Sequence, residues 1–187
     1  EAFNALSEDL LSDLQDTLDD LAQDKKLRVV VIAASGKAFC AGHDLREMRA
    51  NPSLDYYQKL FSQCGRMMMR IQTLQVPVIA KVQGIATAAG CQLVAQCDLA
   101  VASSDARFAV SGVNLGLFCA TPSVALSRNL TRKAAFEMLV TGDFINAQEA
   151  MAKGLVNRVV SSDALDAAVE EMVSKILSKP HVALAMG

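Results

Sequence analysis

Two glycine-containing segments combine residue types that could polarise a carbonyl group. The first spans Ser35 to Leu45 and reads SGKAFCAGHDL, and the second spans Gln83 to Gln92 and reads QGIATAAGCQ. Each follows an apolar run typical of a strand and precedes a stretch typical of a helix. Glycine lets a ligand approach the backbone closely, and a helix N-terminus offers N–H groups that no helical carbonyl accepts. Two such turns could hold a developing oxyanion between backbone N–H groups.

A purely structural interpretation of these segments is that both are tight strand-to-helix turns. Their glycines and alanines would then only relieve crowding between neighbouring elements. For either segment alone the two interpretations have similar weight. The presence of both in one chain favours the functional interpretation.

Few side chains could transfer a proton or attack a carbonyl. The two histidines are His43, inside the first segment, and His181, near the C-terminal end. Neither has a serine partner at a strand-to-helix turn, so a Ser-His-Asp triad is not predicted. Cys119 could be a nucleophile if its thiolate were stabilised, although a thiol in apolar surroundings is more often structural. No cysteine pair has a second pair at zinc-ligand spacing, so no metal site is predicted.

Apolar periodicity predicts the elements that must position these residues. Ser7 and the leucines after it predict a helix at 10–21, and a second long helical pattern covers 54–74. The β-branched run at 29–33 predicts a strand buried on both faces, and 76–82 predicts another. Further strands are predicted at 99–102, 108–110 and 156–160, and further helices at 131–140, 147–153 and 164–177. Strands that alternate with helices indicate an α/β domain with a largely buried sheet.

Composition narrows the class of protein. The chain has 187 residues, 52% of them hydrophobic, with a formal net charge of −2. This length favours one domain, and the charge argues against a nucleic-acid partner. The apolar stretches are far shorter than the roughly 20 residues that span a bilayer, so no membrane partner is predicted. Five cysteines, an odd number in apolar surroundings, favour reduced thiols in the cytoplasm or a mitochondrial matrix.

The order and spacing of the motifs resemble the enoyl-CoA hydratase/isomerase, or crotonase, family over nearly the whole chain. The motifs are Asn4-Ala5-Leu6, FCAGHDL at 39–45, VPVIAKVQG at 76–84, AGCQL at 89–93, CDLAVA at 97–102, Phe108, Leu115-Gly116, TGD at 141–143, AQEA at 147–150 and GLV at 154–156. The resemblance implies a crotonase (ClpP-like) ββα superhelix that spans residues 1–187 as a single domain. Relative to the family, these residues lack an N-terminal strand segment and a C-terminal helical trimerisation region.

The resemblance also implies a function. The backbone N–H groups of His43 and Ala89 would converge on the thioester oxygen of an acyl-CoA and stabilise its enolate. The coenzyme A part would contact residues of the two segments, with Ala38, Ala41, Asp44 and Gly90 as candidates. Asp44 would also cap the following helix. The acyl-CoA would be the substrate, no separate cofactor would be needed, and copies would form a homotrimer or a dimer of trimers.

The sequence departs from the family pattern where protons are transferred. Family hydratases carry two glutamates, and the matching positions hold Gln92 and Gly112, while a later position used by isomerases holds Ala120. An amide cannot exchange a proton near neutral pH, and glycine offers only backbone.

Two hypotheses follow from this departure. The first is an acyl-CoA enzyme of fatty acid metabolism, a lyase or an isomerase, that uses another carrier: His43, Cys119 or a water held by Gln92. The second is a non-catalytic acyl-CoA binding or regulatory protein of lipid metabolism.

Overall fold

Two four-stranded sheets and nine helices make up the part of the chain that the structure describes. The structure is a computed structural model, and it describes residues 3–186. The strands are β1 Val30–Ala33, β2 Ala38–Cys40, β3 Val78–Val82, β4 Ile85–Thr87, β5 Leu99–Ser103, β6 Arg107–Ala109, β7 Ile145–Asn146 and β8 Arg158–Val160. The helices are α1 Glu8–Leu21, α2 Leu45–Ala50, α3 Leu54–Thr73, α4 Ala89–Gln96, α5 Ala120–Asn129, α6 Arg132–Thr141, α7 Ala147–Lys153, α8 Leu165–Leu177 and α9 His181–Met186. Short 3₁₀ turns lie at Ser111–Leu115 and Ser162–Ala164.

The strands follow a repeating plan along the chain. The first sheet has the order β1-β3-β5-β8 with all pairs parallel, and the second has the order β2-β4-β6-β7 with only β7 antiparallel. Each of three successive strand pairs, β1 and β2, β3 and β4, and β5 and β6, gives one strand to each sheet. Helical structure follows each pair, so the predicted ββα superhelix is confirmed.

The first strand differs from its prediction. A strand buried on both faces was expected at 29–33, but β1 has only Val30 fully buried, while Val31 is 39% exposed and Ala33 is exposed. The reason is that β1 lies at the edge of its sheet, and α8 packs on the outer faces of β3 and β5. The expectation of two-sided burial was therefore wrong for β1. It holds for β3, in which four of five residues are buried.

The two glycine-containing segments are more ordered than sequence analysis predicted. They contain the strands β2 and β4, which pair in parallel. The short helices α2, α5 and α9 were also not predicted. Each of these strands has only three residues, and two of the helices have six, so apolar periodicity has too few positions to show itself.

Helix ends follow local sequence signals. The side chain of Ser7 accepts a hydrogen bond from the N–H of Leu10 at the start of α1, and Ser53 does the same for α3. Leu60, Met67 and Ile71 on one face of α3 are buried in the main core, which confirms the predicted apolar face. In residues 3–186, no helix is both long enough and apolar enough to cross a membrane.

Candidate active site

A cavity of about 300 Å³ lies where the two glycine-containing segments meet the start of α5. Its wall is mostly apolar. Among the described residues that line it, only His43 could become positively charged, by protonation of its imidazole. The wall residues are Ala41, His43, Leu45, Met48, Phe61, Ala88, Ala89, Ser111, Gly112, Leu115, Leu117, Phe118, Cys119, Ala120, Thr121 and Pro122. An apolar cavity with few polar groups is typical of a small-molecule site.

The turn at Gly42 brings the first segment directly against the start of α4. Gly42 has a φ of +88°, and a Cβ there would lie 3.0 Å from the Cβ of Ala88 and 3.4 Å from the nitrogen of Ala89. The next residue, His43, and Ala89 both line the cavity. The two segments therefore come together where the family resemblance places the N–H groups of His43 and Ala89.

The N–H groups of His43 and Ala89, called the N–H pair below, have no acceptor within residues 3–186. The backbone groups on either side of His43 do form hydrogen bonds. The N–H of Leu6 donates to the carbonyl of Gly42 at 2.8 Å, and the N–H of Asp44 donates to the carbonyl of Leu6 at 3.3 Å. Ala89 is the first residue of α4, where an N–H has no helical acceptor. Both donors are free to bind a ligand oxygen.

Ala88 shows backbone strain beside this pair. Its φ is +51° and its ψ is −120°, a region that non-glycine residues rarely adopt. Such strain costs on the order of 1–3 kcal/mol and is concentrated at functional sites. The N–H of Ala88 donates to the carbonyl of Ala109 at 3.0 Å, which fixes the turn that presents Ala89 to the cavity.

Glycines allow the two segments to stack. A Cβ on Gly90 would lie 2.1 Å from the carbonyl oxygen of Cys40, and one on Gly84 would lie 2.2 Å from that of Lys37. No side chain fits at either position. This packing leaves the predicted coenzyme contacts Ala38 and Gly90 buried and off the cavity wall, whereas Ala41 lines it.

Asp44 has the capping role that the sequence predicted. Its carboxylate accepts hydrogen bonds from the N–H groups of Arg46 at 2.7 Å and Glu47 at 3.4 Å, at the start of α2. It does not line the cavity. The carboxylate therefore orders the turn that follows His43.

The His43 imidazole forms part of the cavity wall. It meets Phe61 edge to face, with ring centroids 5.4 Å apart, and its Nδ1 is buried without a hydrogen-bond partner among the described residues. Burial lowers the pKa of His43 below its usual value, and the backbone carbonyl of Leu6 opposes this effect only partly. The ring is therefore neutral at neutral pH and can accept a proton.

Gly112 is not an open position. A Cβ there would lie 2.5 Å from the carbonyl oxygen of Leu117 and 2.7 Å from the Sγ of Cys119. The N–H of Leu117 donates to the carbonyl of Gly112 at 3.0 Å, which holds this backbone in place. A glutamate at 112 would need the 115–119 segment to move.

Cys119 and Gln92 are poorly suited to proton transfer here. Burial raises the pKa of the Cys119 thiol, and a hydrogen bond with the backbone of Gly112 opposes this only partly, so the thiolate is disfavoured. Gln92 is buried in α4, does not line the cavity, and has an Oε1 without a partner in residues 3–186. Ala120 lines the cavity and carries no acid. Of the three carriers that the sequence suggested, the geometry favours His43.

Sequence analysis missed two hydroxyl groups at the site. The Oγ1 of Thr87 and the Oγ of Ser111 lie 2.9 Å apart, and Ser111 lines the cavity. Isolated hydroxyls at strand ends belong to no recognised motif. The only signal was that Ser111 directly precedes Gly112. Within residues 3–186, no group of three or more His, Cys, Asp or Glu side chains is placed to hold a metal ion.

Comparisons with known proteins agree with this architecture. A sequence model of the enoyl-CoA hydratase/isomerase family matches residues 1–187. The mitochondrial enoyl-CoA hydratase domain-containing protein 3 of Xenopus laevis is 48% identical over 184 residues, which cover 98% of this chain and 63% of that protein. The chain therefore spans about three-fifths of the length of the curated relatives it matches first.

Solved structures have the same fold. A crystal structure of an enoyl-CoA hydratase from Mycobacterium smegmatis is 67% identical, with a TM-score of 0.98 over 100% of this chain and 72% of that one. The crystal structure of human enoyl-CoA hydratase domain-containing protein 3 is 46% identical, with a TM-score of 0.95 over 100% and 74% of the two chains. Both likenesses extend over the whole of the present chain.

Proposed function

Because the chain belongs to the enoyl-CoA hydratase/isomerase family, we propose that its cavity binds an acyl-CoA thioester and that the N–H pair stabilises negative charge on the thioester oxygen. The observation that carries this proposal is that His43 and Ala89, whose N–H groups have no acceptor within residues 3–186, lie on stacked segments and both line one apolar cavity. Hydrogen-bond donors that are already fixed where negative charge develops lower the activation barrier, because they need not move as the reaction proceeds. Loss of one typically costs about 10²–10³ in rate.

The cavity wall indicates an uncharged acyl group. Among residues 3–186, no Asp, Glu, Lys or Arg side chain lines it. Burial lowers the pKa of His43 and raises that of Cys119, so both groups are neutral at neutral pH. A charged acyl substituent would lose its hydration without gaining a partner. The thioester would be the substrate, and no separate cofactor is required.

His43 is the proposed proton carrier. Its neutral imidazole would accept a proton from the carbon next to the thioester carbonyl. The electrons of that C–H bond would move onto the carbonyl oxygen, where the N–H pair stabilises the enolate, and the imidazolium would return the proton. Positioned general bases contribute roughly 10²–10⁴ in rate.

A non-catalytic acyl-CoA binder is the second candidate. It is favoured by the closed position at Gly112 and by the placement of Gln92 away from the cavity wall. Both of these match glutamate positions of family hydratases. Such a protein would retain the N–H pair for binding and transfer no proton.

Proton exchange at the acyl-CoA separates the two candidates. Hexanoyl-CoA is incubated with the full chain in deuterium oxide, and loss of the C2 proton signal is followed by nuclear magnetic resonance. If the chain is an enzyme, the C2 proton should exchange with solvent deuterium. His43→Ala should then lower the exchange rate by roughly 10²-fold or more, and Cys119→Ala should leave it unchanged. Binding without exchange supports the second candidate, and absence of binding contradicts the whole proposal.

The N–H of Ala89 can be removed selectively. Proline is tolerated at the first residue of a helix, where the missing N–H had no helical acceptor. Because the positive φ of Ala88 would crowd a following proline ring, the test variant is Ala88→Gly/Ala89→Pro, and Ala88→Gly alone is the matched control. The double variant should lose exchange and the control should keep it, whereas equal rates would contradict the role of this N–H.

We also propose that residues 1–187 form a single domain, because one continuous core extends from Leu6 to Val156. A homotrimer or dimer of trimers stays a prediction from the family. For the compartment we propose the cytoplasm, or the mitochondrial matrix in a eukaryote. The matrix assignment is supported by eukaryotic relatives whose names say mitochondrial.

A further inference from the structure

Residues 3–6, called the 3–6 strap below, run alongside the first glycine-containing segment. The N–H of Leu6 donates to the carbonyl of Gly42 at 2.8 Å, and the carbonyl of Leu6 accepts from the N–H of Asp44 at 3.3 Å. Leu6 therefore lies opposite His43 in a parallel bridge and bonds to the backbone groups on both sides of it. The strap meets the segment at the residue that supplies one member of the N–H pair.

The bond from Leu6 restrains the direction of the His43 N–H. The carbonyl of Gly42 and the N–H of His43 belong to one planar, trans peptide group, so they point in opposite directions. Because the Gly42 carbonyl points to Leu6, the His43 N–H points away from the strap. Rotation of this peptide group would break the bond to Leu6.

The second donor has the same arrangement. The N–H of Ala89 shares a peptide group with the carbonyl of Ala88, which accepts a hydrogen bond from the N–H of Gln92 at 3.0 Å. A carbonyl that accepts a hydrogen bond polarises its peptide group, which strengthens the N–H of that group as a donor by roughly 10–30%. The first turn of α4 supplies this bond for Ala89. Among the described residues, the strap supplies it for His43.

Asn4 fastens the strap to the same segment. Its Nδ2 donates to the carbonyls of Ser35 at 2.9 Å and Ala38 at 2.7 Å. The carbonyl of Phe3 accepts from the N–H of Ala41 at 3.2 Å. Asn4 has a φ of +55°, a left-handed conformation that asparagine adopts more readily than most residues. These bonds fix the position of the strap before it reaches Leu6.

We propose that Leu6 and Asn4 are positioning residues for the His43 N–H. The N–H of Leu6 turns this donor toward the thioester oxygen and strengthens it, and Asn4 keeps the strap in register. Neither residue lines the cavity, so both act through the backbone of the first segment. This inference rests on the proposed binding of the thioester oxygen by the N–H pair.

The test removes the N–H of Leu6 and keeps its side chain. Leu6 is replaced by leucic acid, its α-hydroxy analogue, through nonsense suppression, which puts an ester oxygen in place of the N–H. Hexanoyl-CoA with an isotopic label in its thioester carbonyl is bound to the full chain, and the carbonyl stretching band is measured by difference infrared spectroscopy. Hydrogen bonds to the carbonyl oxygen lower its frequency. The wild-type chain should lower the band, and the Leu6 ester should return it part of the way, because the Ala89 N–H remains.

Exchange of the C2 proton gives a second measurement. Loss of a whole donor typically costs about 10²–10³ in rate, so a weakened and misdirected donor should cost less, roughly 10-fold. The affinity for hexanoyl-CoA should change less than the rate, because the oxygen carries more negative charge in the transition state than in the bound ligand. A role in stability alone would leave the band and the rate unchanged below the unfolding transition.

Leu155 provides the matched control. It is buried like Leu6, its N–H also donates to a backbone carbonyl at 2.8 Å, that of Ala150, and it does not line the cavity. The Leu155 ester should leave the band and the rate unchanged. Asn4→Gly is the decisive variant if the Leu6 ester fails to fold, as checked by circular dichroism. Glycine accepts the positive φ and removes only the side-chain hydrogen bonds, so the band should shift the same way by a smaller amount.

The possible results separate this inference from the proposed function. If the wild-type chain does not lower the band, the N–H pair does not bind the thioester oxygen and the proposed function is wrong. If the wild-type chain lowers it and the decisive variant leaves it there, the proposed function stands and this inference is overturned. An equal shift in the Leu155 ester also overturns it, because the effect would not be specific to the strap.

Discussion

The closed space at Gly112 predicts a specific loss of stability on adding a single methyl group. In Gly112→Ala the new Cβ would lie 2.5 Å from the carbonyl oxygen of Leu117 and 2.7 Å from the Sγ of Cys119. Both distances are much shorter than an ordinary van der Waals contact. The Leu117 carbonyl belongs to the backbone and cannot rotate away as a side chain could. The N–H of Leu117 also donates to the carbonyl of Gly112, which fixes the position of Leu117 relative to Gly112. The 115–119 segment must therefore shift.

The size of the effect follows from overpacking. Extra carbon atoms in a well-packed region typically cost 1–3 kcal/mol in the free energy of unfolding. For a domain of this size, about 1 kcal/mol lowers the melting temperature by roughly 2–4 °C, so Gly112→Ala should melt roughly 2–12 °C below the wild-type chain. Glutamate has more atoms to place and should destabilise further.

Thermal unfolding followed by circular dichroism measures this loss. Gly65→Ala is the matched control, because Gly65 lies inside α3 and an added Cβ meets no atom within 4 Å. That control should stabilise the chain by about 0.5–1 kcal/mol through helix propensity alone. In a Cys119→Ala background, Gly112→Ala should lower the melting temperature by less, because one of the two close contacts is removed. Some loss should persist, because the contact with the Leu117 carbonyl remains.

The same reasoning predicts that acids cannot simply be restored at this site. The double variant Gln92→Glu/Gly112→Glu should be destabilised and should not hydrate a short enoyl-CoA, as followed by loss of the conjugated thioester absorbance. The reasoning is refuted if Gly112→Ala melts together with the wild-type chain. It is also refuted if the double variant folds normally and gains hydratase activity.

Three further predictions concern strain and titration. Ala88→Gly should raise the free energy of unfolding by about 1 kcal/mol in urea denaturation, because glycine accepts the positive φ without strain; an unchanged value would contradict the strain. Because burial lowers the pKa of His43, the unfolded chain binds its proton more readily, so stability should fall as pH drops below about 6.5. Melting curves should show a smaller fall for His43→Gln, and an identical fall would exclude His43 as the cause. Burial raises the pKa of Cys40 to about 11 and of Cys91 to about 12, so iodoacetamide should label these thiols only after unfolding; rapid labelling of the native chain would contradict their burial.

Sequence analysis predicted the parts of the fold that have long, regular patterns. The helix at 54–74 and the strand at 76–82 correspond closely to α3 and β3. Their apolar periodicity reflects burial against the core, so a pattern in the sequence reports it directly. The strand at 29–33 was placed correctly, but its two-sided burial was wrong, because an edge position depends on which strands and helices lie beside it.

The site was only partly predictable for a similar reason. The family resemblance assigned His43 and Ala89 to one site because each lies in a recognisable motif, and both residues line the cavity. The closure at Gly112 depends on the path of 115–119, and the hydroxyl pair depends on the register of β4 with β6. No local pattern encodes either contact.

The N–H pair also bears on how such a site changes during evolution. Its donors are peptide groups, so substitutions of the side chains at 43 and 89, other than by proline, do not remove them. Carboxylates on the cavity wall have no such protection, since one codon change replaces them. If the pair binds a thioester as proposed, a descendant can lose or exchange its reaction and still inherit the two donors that bind the thioester oxygen. In such a lineage ligand recognition outlasts catalysis.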